Sequence, residues 1–483
     1  MPKYFLAFLF IPCLCFSAPD PAAYRNDMQN NGQLKINPRG EDFCWHAAYG
    51  ITAYVTAYQA YKDTKWLDEG VKYFDWLISK MEVSPDGYKG WVGPYEYDAK
   101  VDSDCHVGDG VLIREFLRFA EVVLKDRSIR AKYEDKAREY IELAKKHYIE
   151  KWDKRGTWYE YLTGAGYSTS ERYIDQKTRE WVTFPSKKLN LPFNKQNVVA
   201  LVALRIYRTT KEEFYRAKAE KLFAIFKSRF RYFEDEDRYV WNYWEPYNPW
   251  DIGSIPKHWV SVHPSRSGYQ YAEIHDIAEA YHSGLVFEQK DLERIINTNL
   301  WMWNKDEKNP VFKSADGNTE AGCLWDGLVD FNAVLRALKK SELEKQHGAS
   351  AEIELDYMKN VTLKEPVSFK RKYVAGEVKI PAIPVYPMKD ITAAVCIPDK
   401  IKAGERMKFY AGCLGTGNVQ VDLFDETGVK LLGNILSKTT ASNGGMSESW
   451  DGTSLVPEQK LKGRYLVKFS FKDSYKMCPV EIE

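Results

Sequence analysis

Hydrophobic residues recur at three- and four-residue spacing through most of the first 340 positions, and at two-residue spacing through much of the last hundred. The first pattern lines one face of a helix and the second one face of a strand. The helical pattern predicts pairs over 43–61 and 65–81, 107–124 and 129–149, 194–208 and 212–230, and 271–285 and 289–303, with a ninth helix over 322–340. Short turns within pairs make each an antiparallel hairpin. The segments between pairs, 82–106, 150–193, 231–270 and 304–321, are instead long, aromatic and rich in Gly and Pro.

Two hairpin turns resemble each other. Ala60-Tyr61-Lys62-Asp63-Thr64-Lys65 and Ile206-Tyr207-Arg208-Thr209-Thr210-Lys211 each close a helix on an aromatic, turn on Thr and open another helix. Hairpins repeating at intervals of roughly 70–90 residues suggest a mainly α fold, an (α/α) toroid of up to six or seven hairpins over 19–345. Its inner helices would surround a funnel, with the long segments at the mouth. Residues 346–390, with Pro366, Pro381, Pro384 and Pro387, read as a linker packed on the toroid. Alternating runs at 393–396, 407–410, 419–424 and 465–469 predict a small C-terminal β-sandwich over 391–483.

Composition narrows the function. The 483 residues are 44% hydrophobic and 14% aromatic, ample for a large core, and the net charge is +1. No global field recruits nucleic acid or an acidic membrane, so a polyanion would need a local basic patch. Lys3, the short apolar run 4–16 and the small residues Ser17 and Ala18 read as a signal peptide over 1–18, which predicts a secreted or periplasmic protein. No other segment is long and apolar enough to cross a bilayer. Six cysteines follow: Cys44, Cys105, Cys323, Cys396, Cys413 and Cys478. Export permits one disulfide among the first three and one among the last three. No CxxC pair suggests a zinc site.

The candidate chemistry concentrates in 241–282, which carries four of the eight histidines: His258, His263, His275 and His282. Trp241, Tyr243, Trp244, Trp250, Trp259, Tyr269, Tyr271, Arg266 and Glu273 accompany them. A long loop of titrating and stacking groups that feeds a helix suits the wall of an active site. Aromatic faces hold sugar rings, while His, Tyr and Arg suit a uronic acid. Three further segments precede hairpins and converge on the same end: Asp42, Trp45 and His46; Asp102, Asp104, His106 and Asp109; and Asn190, Asn194 and Asn197. Asn194 equally suits an N-cap. Asp102, Asp104 and His106 have side chains able to hold a structural metal ion, though no EF-hand loop or HExxH motif accompanies them. No cofactor is expected.

Three functions fit these residues. The first is β-elimination on a uronic-acid polysaccharide, with Asn, His or Arg neutralising the carboxylate and Tyr moving the proton. The second is glycoside hydrolysis by paired carboxyls drawn from Asp102, Asp104, Asp109, Glu245, Asp251, Glu273 and Asp276. The third is glycan binding without catalysis.

The hairpin series, the helix start PFNKQN and the stretch HWVSVHPSRSGYQYAEIHDIAEAY together resemble secreted bacterial α/α-toroid carbohydrate-active proteins, in particular the alginate and glucuronan lyases of the polysaccharide lyase family 38 type. The resemblance covers residues 40–340. It implies a polysaccharide lyase with Tyr271 or Tyr269 as base and acid. Arg266 with His258 or His263 would neutralise the carboxylate, helped by Asn197 and His106. Trp241, Tyr243, Trp244, Trp259, Asn194 and Glu273 would hold the polysaccharide. The chain lacks the Asn-Asn-His run of some toroid alginate lyases. Trp450-Asp451-Gly452 and Leu461-Lys462-Gly463-Arg464-Tyr465 resemble the end of the immunoglobulin-like module of flagellar-hook capping proteins, which implies an accessory role for the C-terminal region.

Overall fold

The structure, a computed structural model, describes residues 39–95, 98–185, 188–253, 268–303, 324–329, 331–347, 384–440, 445–453, 455 and 461–483. Six of its helices come in hairpins. They are α1 (Gly40–Tyr61) with α2 (Lys65–Ser79), α3 (His106–Lys125) with α4 (Arg127–Ala144), and α5 (Phe193–Thr210) with α6 (Glu213–Lys227). Next come α7 (Gly268–His282), α8 (Gln289–Met302) and α9 (Ala333–His347). Helix α3 lies between α1 and α5, and α5 lies between α3 and α7, while α2, α4 and α6 each pack on their own partner. The described helices therefore form two layers, with α1, α3, α5 and α7 on the inside.

Sequence pattern explains the layers. Helix α4 buries Ile129, Tyr133, Ala137, Tyr140, Ile141 and Ala144, one stripe, and turns Lys, Arg and Glu to water. Helix α3 is buried along almost its whole circumference, as an inner helix must be. Close approach of its neighbours needs Gly110, because a Cβ there would overlap the Tyr148 hydroxyl and Val198. Asp126 caps α4 by accepting from Ser128 N at 3.1 Å.

Several boundaries differ from expectation. Helix α1 ends on Lys62 in the left-handed region, but α5 runs past the aligned Arg208 to a left-handed cap at Lys211. The hydroxyls of Thr209 and Thr210 bond back to the Arg205 and Ile206 carbonyls and extend the helix. The predicted helix over 129–149 widens into a π turn at Lys145–Glu150. The predicted helix over 322–340 is a single 3₁₀ turn, Asp326–Leu328, followed by α9. Asn332 Oδ1 accepts from Val334 N at 3.0 Å and Leu335 N at 3.1 Å, which sets the later start. Helix α8 packs on the strand Arg238–Val240, where the Thr298 hydroxyl reaches the Tyr239 carbonyl at 2.5 Å.

The described parts of the long segments between hairpins carry short strands. Gly93–Tyr95, Asp98–Ser103, Arg172–Asp175 and Trp181–Thr183 form one four-stranded sheet, in that order. Toward the C-terminus, Tyr386–Pro387 adds in parallel to the hairpin Arg231–Phe233 and Arg238–Val240.

Two further sheets follow. One joins β1 (Ile391–Ile397), β3 (Met407–Cys413) and β6 (Gly445–Trp450). The other orders β2 (Lys400–Ile401), β8 (Ser474–Ile482), β7 (Gly463–Phe471), β4 (Gly417–Asp425) and β5 (Leu431–Thr440). Both supply one apolar core, in which Phe409 meets Trp450 and Phe469. The other face of the first sheet turns toward the helices: Ala393, Val395, Ile397 and Tyr410 pack with Ile252. Asn242 Nδ2 donates to the Thr392 carbonyl at 2.7 Å.

Among the described residues no helix is long and apolar enough to cross a membrane. Cys44, Cys105, Cys396, Cys413 and Cys478 are free thiols, and Cys323 lies outside the described residues.

Candidate active site

The starts of the inner helices come together. Glu41 in the first turn of α1 accepts from the Trp45 indole at 3.3 Å and the Cys105 thiol at 2.8 Å, and pairs with Lys195 of α5 at 3.2 Å. Burial pushes Glu41 upward. Lys195, Cys105 and Trp45 outweigh that and hold its carboxyl below the usual value. Burial lowers Lys195, yet nearby Cys105 and Glu41 keep its ammonium above the ordinary lysine range.

Tyr243 joins this group because Phe193 N, at the start of α5, donates to its carbonyl at 3.0 Å. Its ring lies 5.1 Å from that of Tyr269 at the start of α7. Burial raises its phenol above the usual tyrosine value, and Lys195, Tyr269, Glu273 and Glu41 all act on it electrostatically. Tyr269 is 36% exposed, and Trp45, Lys195 and Tyr243 are half-buried, so this end of the inner layer is open.

Below it runs a buried polar stripe. Glu273 accepts from the Trp241 indole at 2.7 Å. Asp276, one turn on, is fully buried, and neither carboxyl oxygen has a hydrogen-bond partner among the described residues. Burial raises it to about 8, so at neutral pH it holds its proton. The side-chain amides of Asn194 and Asn197, in the first turn of α5, are also buried without a partner among the described residues. Pro192 occupies the N-cap position, so Asn194 does not cap the helix. Deeper still the stripe is closed by ion pairs: Arg205–Glu279 at 2.5 Å, Arg208–Glu121 at 2.5 Å and Arg208–Glu279 at 2.9 Å.

Several predicted residues go elsewhere. The His106 ring stacks on Trp152 at 3.6 Å inside the core, 3.3 Å from the Thr157 hydroxyl, and burial keeps it neutral. Trp241 and Trp244, expected to hold sugar, are 2% exposed, and their indoles donate to Glu273 and to the Asn190 carbonyl. A stacking platform needs an open face, which neither has. His275 pairs with Asp326 at 2.5 Å, and His282 stacks on Phe331. His258, Trp259, His263 and Arg266 lie outside the described residues, as does the side chain of Tyr271.

Most of the carboxyl candidates are committed to structure. Asp102 is clamped by Arg39 at 2.8 Å and Arg179 at 2.6 Å. Asp104 and Asp109 share Lys151. Asp251 accepts three backbone N–H groups, from Asn190, Tyr247 and Asn248. Glu245 is bonded by Asn242 at 2.6 Å. With Asp102, Asp104 and His106 engaged separately, no metal site forms there. Among the described residues no cluster of three or more His, Cys, Asp or Glu is placed to hold a metal ion.

Glu41 and the part played by Lys195 were missed. An acid in a first helical turn is ordinary, since it complements the helix dipole, so Glu41 gives no sequence signal. Only the fold reveals a lysine 154 positions away against it.

No known family profile matches the chain, and no curated protein matches it. Among solved structures it is similar to a GH76 α-mannanase of Bacteroides thetaiotaomicron, at 12% identity over 68% of this chain and 72% of that one, with a TM-score of 0.37. A protein of Listeria innocua matches at 15% identity over 71% and 78%, with a TM-score of 0.38. An inactive variant of the α-1,6-mannanase GH76A of Salegentibacter sp., in complex with α-1,6-mannotriose, matches at 12% identity over 71% and 99%, with a TM-score of 0.39. At this level of likeness no activity transfers to the chain.

Proposed function

We propose that the chain is a glycan-processing enzyme whose site is the open end of the inner helices, and that it cleaves glycosidic bonds by hydrolysis. The observation that carries this reading is the opposite state of two inner-helix carboxyls. Asp276 is raised to about 8 and protonated, while Glu41 is held low beside Lys195. Hydrolysis of a glycoside needs that division of labour: an acid that protonates the leaving oxygen and a carboxylate that activates water or attacks the sugar. We assign the first role to Asp276, which lies buried below the entrance and which the substrate's leaving oxygen must reach, and the second to Glu41. Trp45, Tyr243 and Tyr269 offer ring faces at the entrance.

β-Elimination on a uronic-acid polymer is the second reading. The amides of Asn194 and Asn197, without a partner among the described residues, favour it, as does nearby Lys195. These groups suit a substrate carboxylate and the charge that grows as the C5 proton leaves. Tyr243 is a poor base for that step, because burial raises its phenol. That leaves Tyr269 or Tyr271. Export, proposed from residues 1–18, suits a polymeric substrate. Residues 19–345 would be the catalytic unit, 346–390 a linker and 391–483 an immunoglobulin-like accessory module.

Incubation of the full chain with mannan, alginate, glucuronan and pectate tests both readings. New reducing ends without ultraviolet absorbance, lost in Asp276→Asn, are expected. Absorbance rising with reducing ends would replace hydrolysis by elimination. Neither signal on any polymer, with binding retained, would sink both in favour of a binding protein.

A further inference from the structure

A cavity lies where the helical part meets the C-terminal sheets. Its volume is about 380 Å³, within the range of small-molecule sites, ~300–1,000 Å³. Tyr161–Thr163, Ser228, Arg229 and Tyr247 line one side; β1, β7 and β8 line the other.

Two basic side chains line it, Lys476 buried and Arg229 partly so. Lys476 of β8 is 5% exposed, and its ammonium has no hydrogen-bond acceptor among the described residues. Arg229 stacks its guanidinium over Tyr247 at 4.7 Å, and its Nε is also without an acceptor among the described residues. Three acids stand nearby: Glu426 on the lining, Asp399, and Glu245, one of whose oxygens has no hydrogen-bond donor among the described residues. Asp399 accepts from Leu162 N at 2.6 Å, and burial raises its carboxyl. Glu245 is bonded by Asn242 at 2.6 Å and stands 3.7 Å from Arg229. An ammonium taken out of water with nothing to bond is costly, burial lowers the Lys476 pKa accordingly, and such a group calls for a partner such as a bound anion. Beside them, a hydrogen bond from Cys396 brings the Cys478 thiol down to about 7 against burial, with smaller contributions from Lys476 and Arg229.

We propose that this cavity is a binding site for a small carboxylate. Lys476 and Arg229 take the carboxylate and the apolar side chains Leu162, Tyr386, Val395, Leu466 and Pro479 take a ring-sized body. The polar contacts fix charge, and the body is a carboxylated sugar or an apolar acid. The site stands apart from the glycan chemistry and does not depend on which reaction the chain performs.

Calorimetric titration of the full chain at pH 7 with glucuronate and with benzoate tests it, with glucose and benzyl alcohol as neutral controls. Saturable binding of at least one acid and of neither neutral compound is expected. Lys476→Met, which places an unbranched apolar chain in the same space, should weaken that binding at least tenfold while the melting temperature holds or rises. Glu41→Gln should leave the binding unchanged, which separates this cavity from the inner-helix site. Glucuronate alone would identify a sugar acid, and benzoate alone an apolar one. Failure of both acids to bind, or equal affinity in Lys476→Met, would overturn the proposal.

Discussion

Glu41 and Lys195 meet at 3.2 Å although they open two helices that are not neighbours, α1 and α5, with α3 between them. Their side chains are 35% and 24% exposed, so solvent screens the pair and its contribution to stability stays below about 1 kcal/mol. Its value lies in keeping Glu41 ionised at the entrance. Glu41→Gln should therefore lower kcat on the cleaved glycan by about 10²-fold or more while moving the melting temperature little. Lys195→Met should raise the pH at which activity appears, because its carboxylate partner then titrates nearer its ordinary value. Unchanged turnover in Glu41→Gln would remove this residue from the site.

Asp276 gives a pH prediction with a definite sign. Its folded value is about 8, against roughly 3.9 unfolded. The folded state binds the extra proton between these values. Its contribution to stability is therefore complete below about pH 4 and is lost as pH rises through about 8. As a general acid it must also be protonated, so activity should fall above about pH 8. Asp276→Asn cannot titrate. Relative to wild type it should gain at least ~2 kcal/mol between pH 5 and pH 8 in urea melts, and it should lose activity at every pH. Parallel stability profiles for the two proteins would show that Asp276 is ionised in the native state.

Much of the helical layering was legible in the chain. Ile129, Tyr133, Ala137, Tyr140 and Ala144 mark one face of α4 and nothing else competes for them. The sheet that joins Gly93–Ser103 to Arg172–Thr183 was not, because short strands carry little periodicity and their partners are distant in sequence. The site was less legible than the fold. Trp241, Trp244 and His106 look in sequence like Trp45 and Tyr269, and only burial separates the core aromatics from the open ones. Asp276 stood among seven acidic candidates. What distinguishes it is that clamps such as Arg39 and Arg179 on Asp102 form across the chain and cannot be read from spacing.

Asn197 separates a functional cost from a structural one. Both polar ends of its amide are buried without a partner among the described residues. Asn197→Leu keeps the size and removes the unmet groups, so it should raise stability by about 1–3 kcal/mol. If the amide serves a substrate, the same change should lower activity at least tenfold. A fall in stability instead would show that the amide already has a partner. Denaturant melts and turnover on one preparation decide between these.

A buried charge cluster supports the start of α3. Lys151 is fully buried, bonds Asp104 at 2.9 Å and pairs with Asp109, while Arg155 holds the second oxygen of Asp104 at 2.8 Å. Burial favours protonation of both acids. Lys151 and Arg155 overcome this at Asp104 and hold it below its ordinary value, whereas burial prevails at Asp109 and raises it to about 6. Lys151→Met leaves two buried carboxyls facing each other, so it should cost about 3–5 kcal/mol at pH 7. Part of that loss should return at pH 5, where Asp109 takes up a proton, and in the double variant with Asp109→Asn. Gly90 backs the cluster: a Cβ there would come within 2.5 Å of Asp104 Oδ1 and 2.8 Å of Lys151 Nζ. Gly90→Ala should thus destabilise in the same way as Lys151→Met, and the two losses should not add, because both act by breaking one bonded group. Additive losses in urea melts would mean that Gly90 and Lys151 support the fold separately.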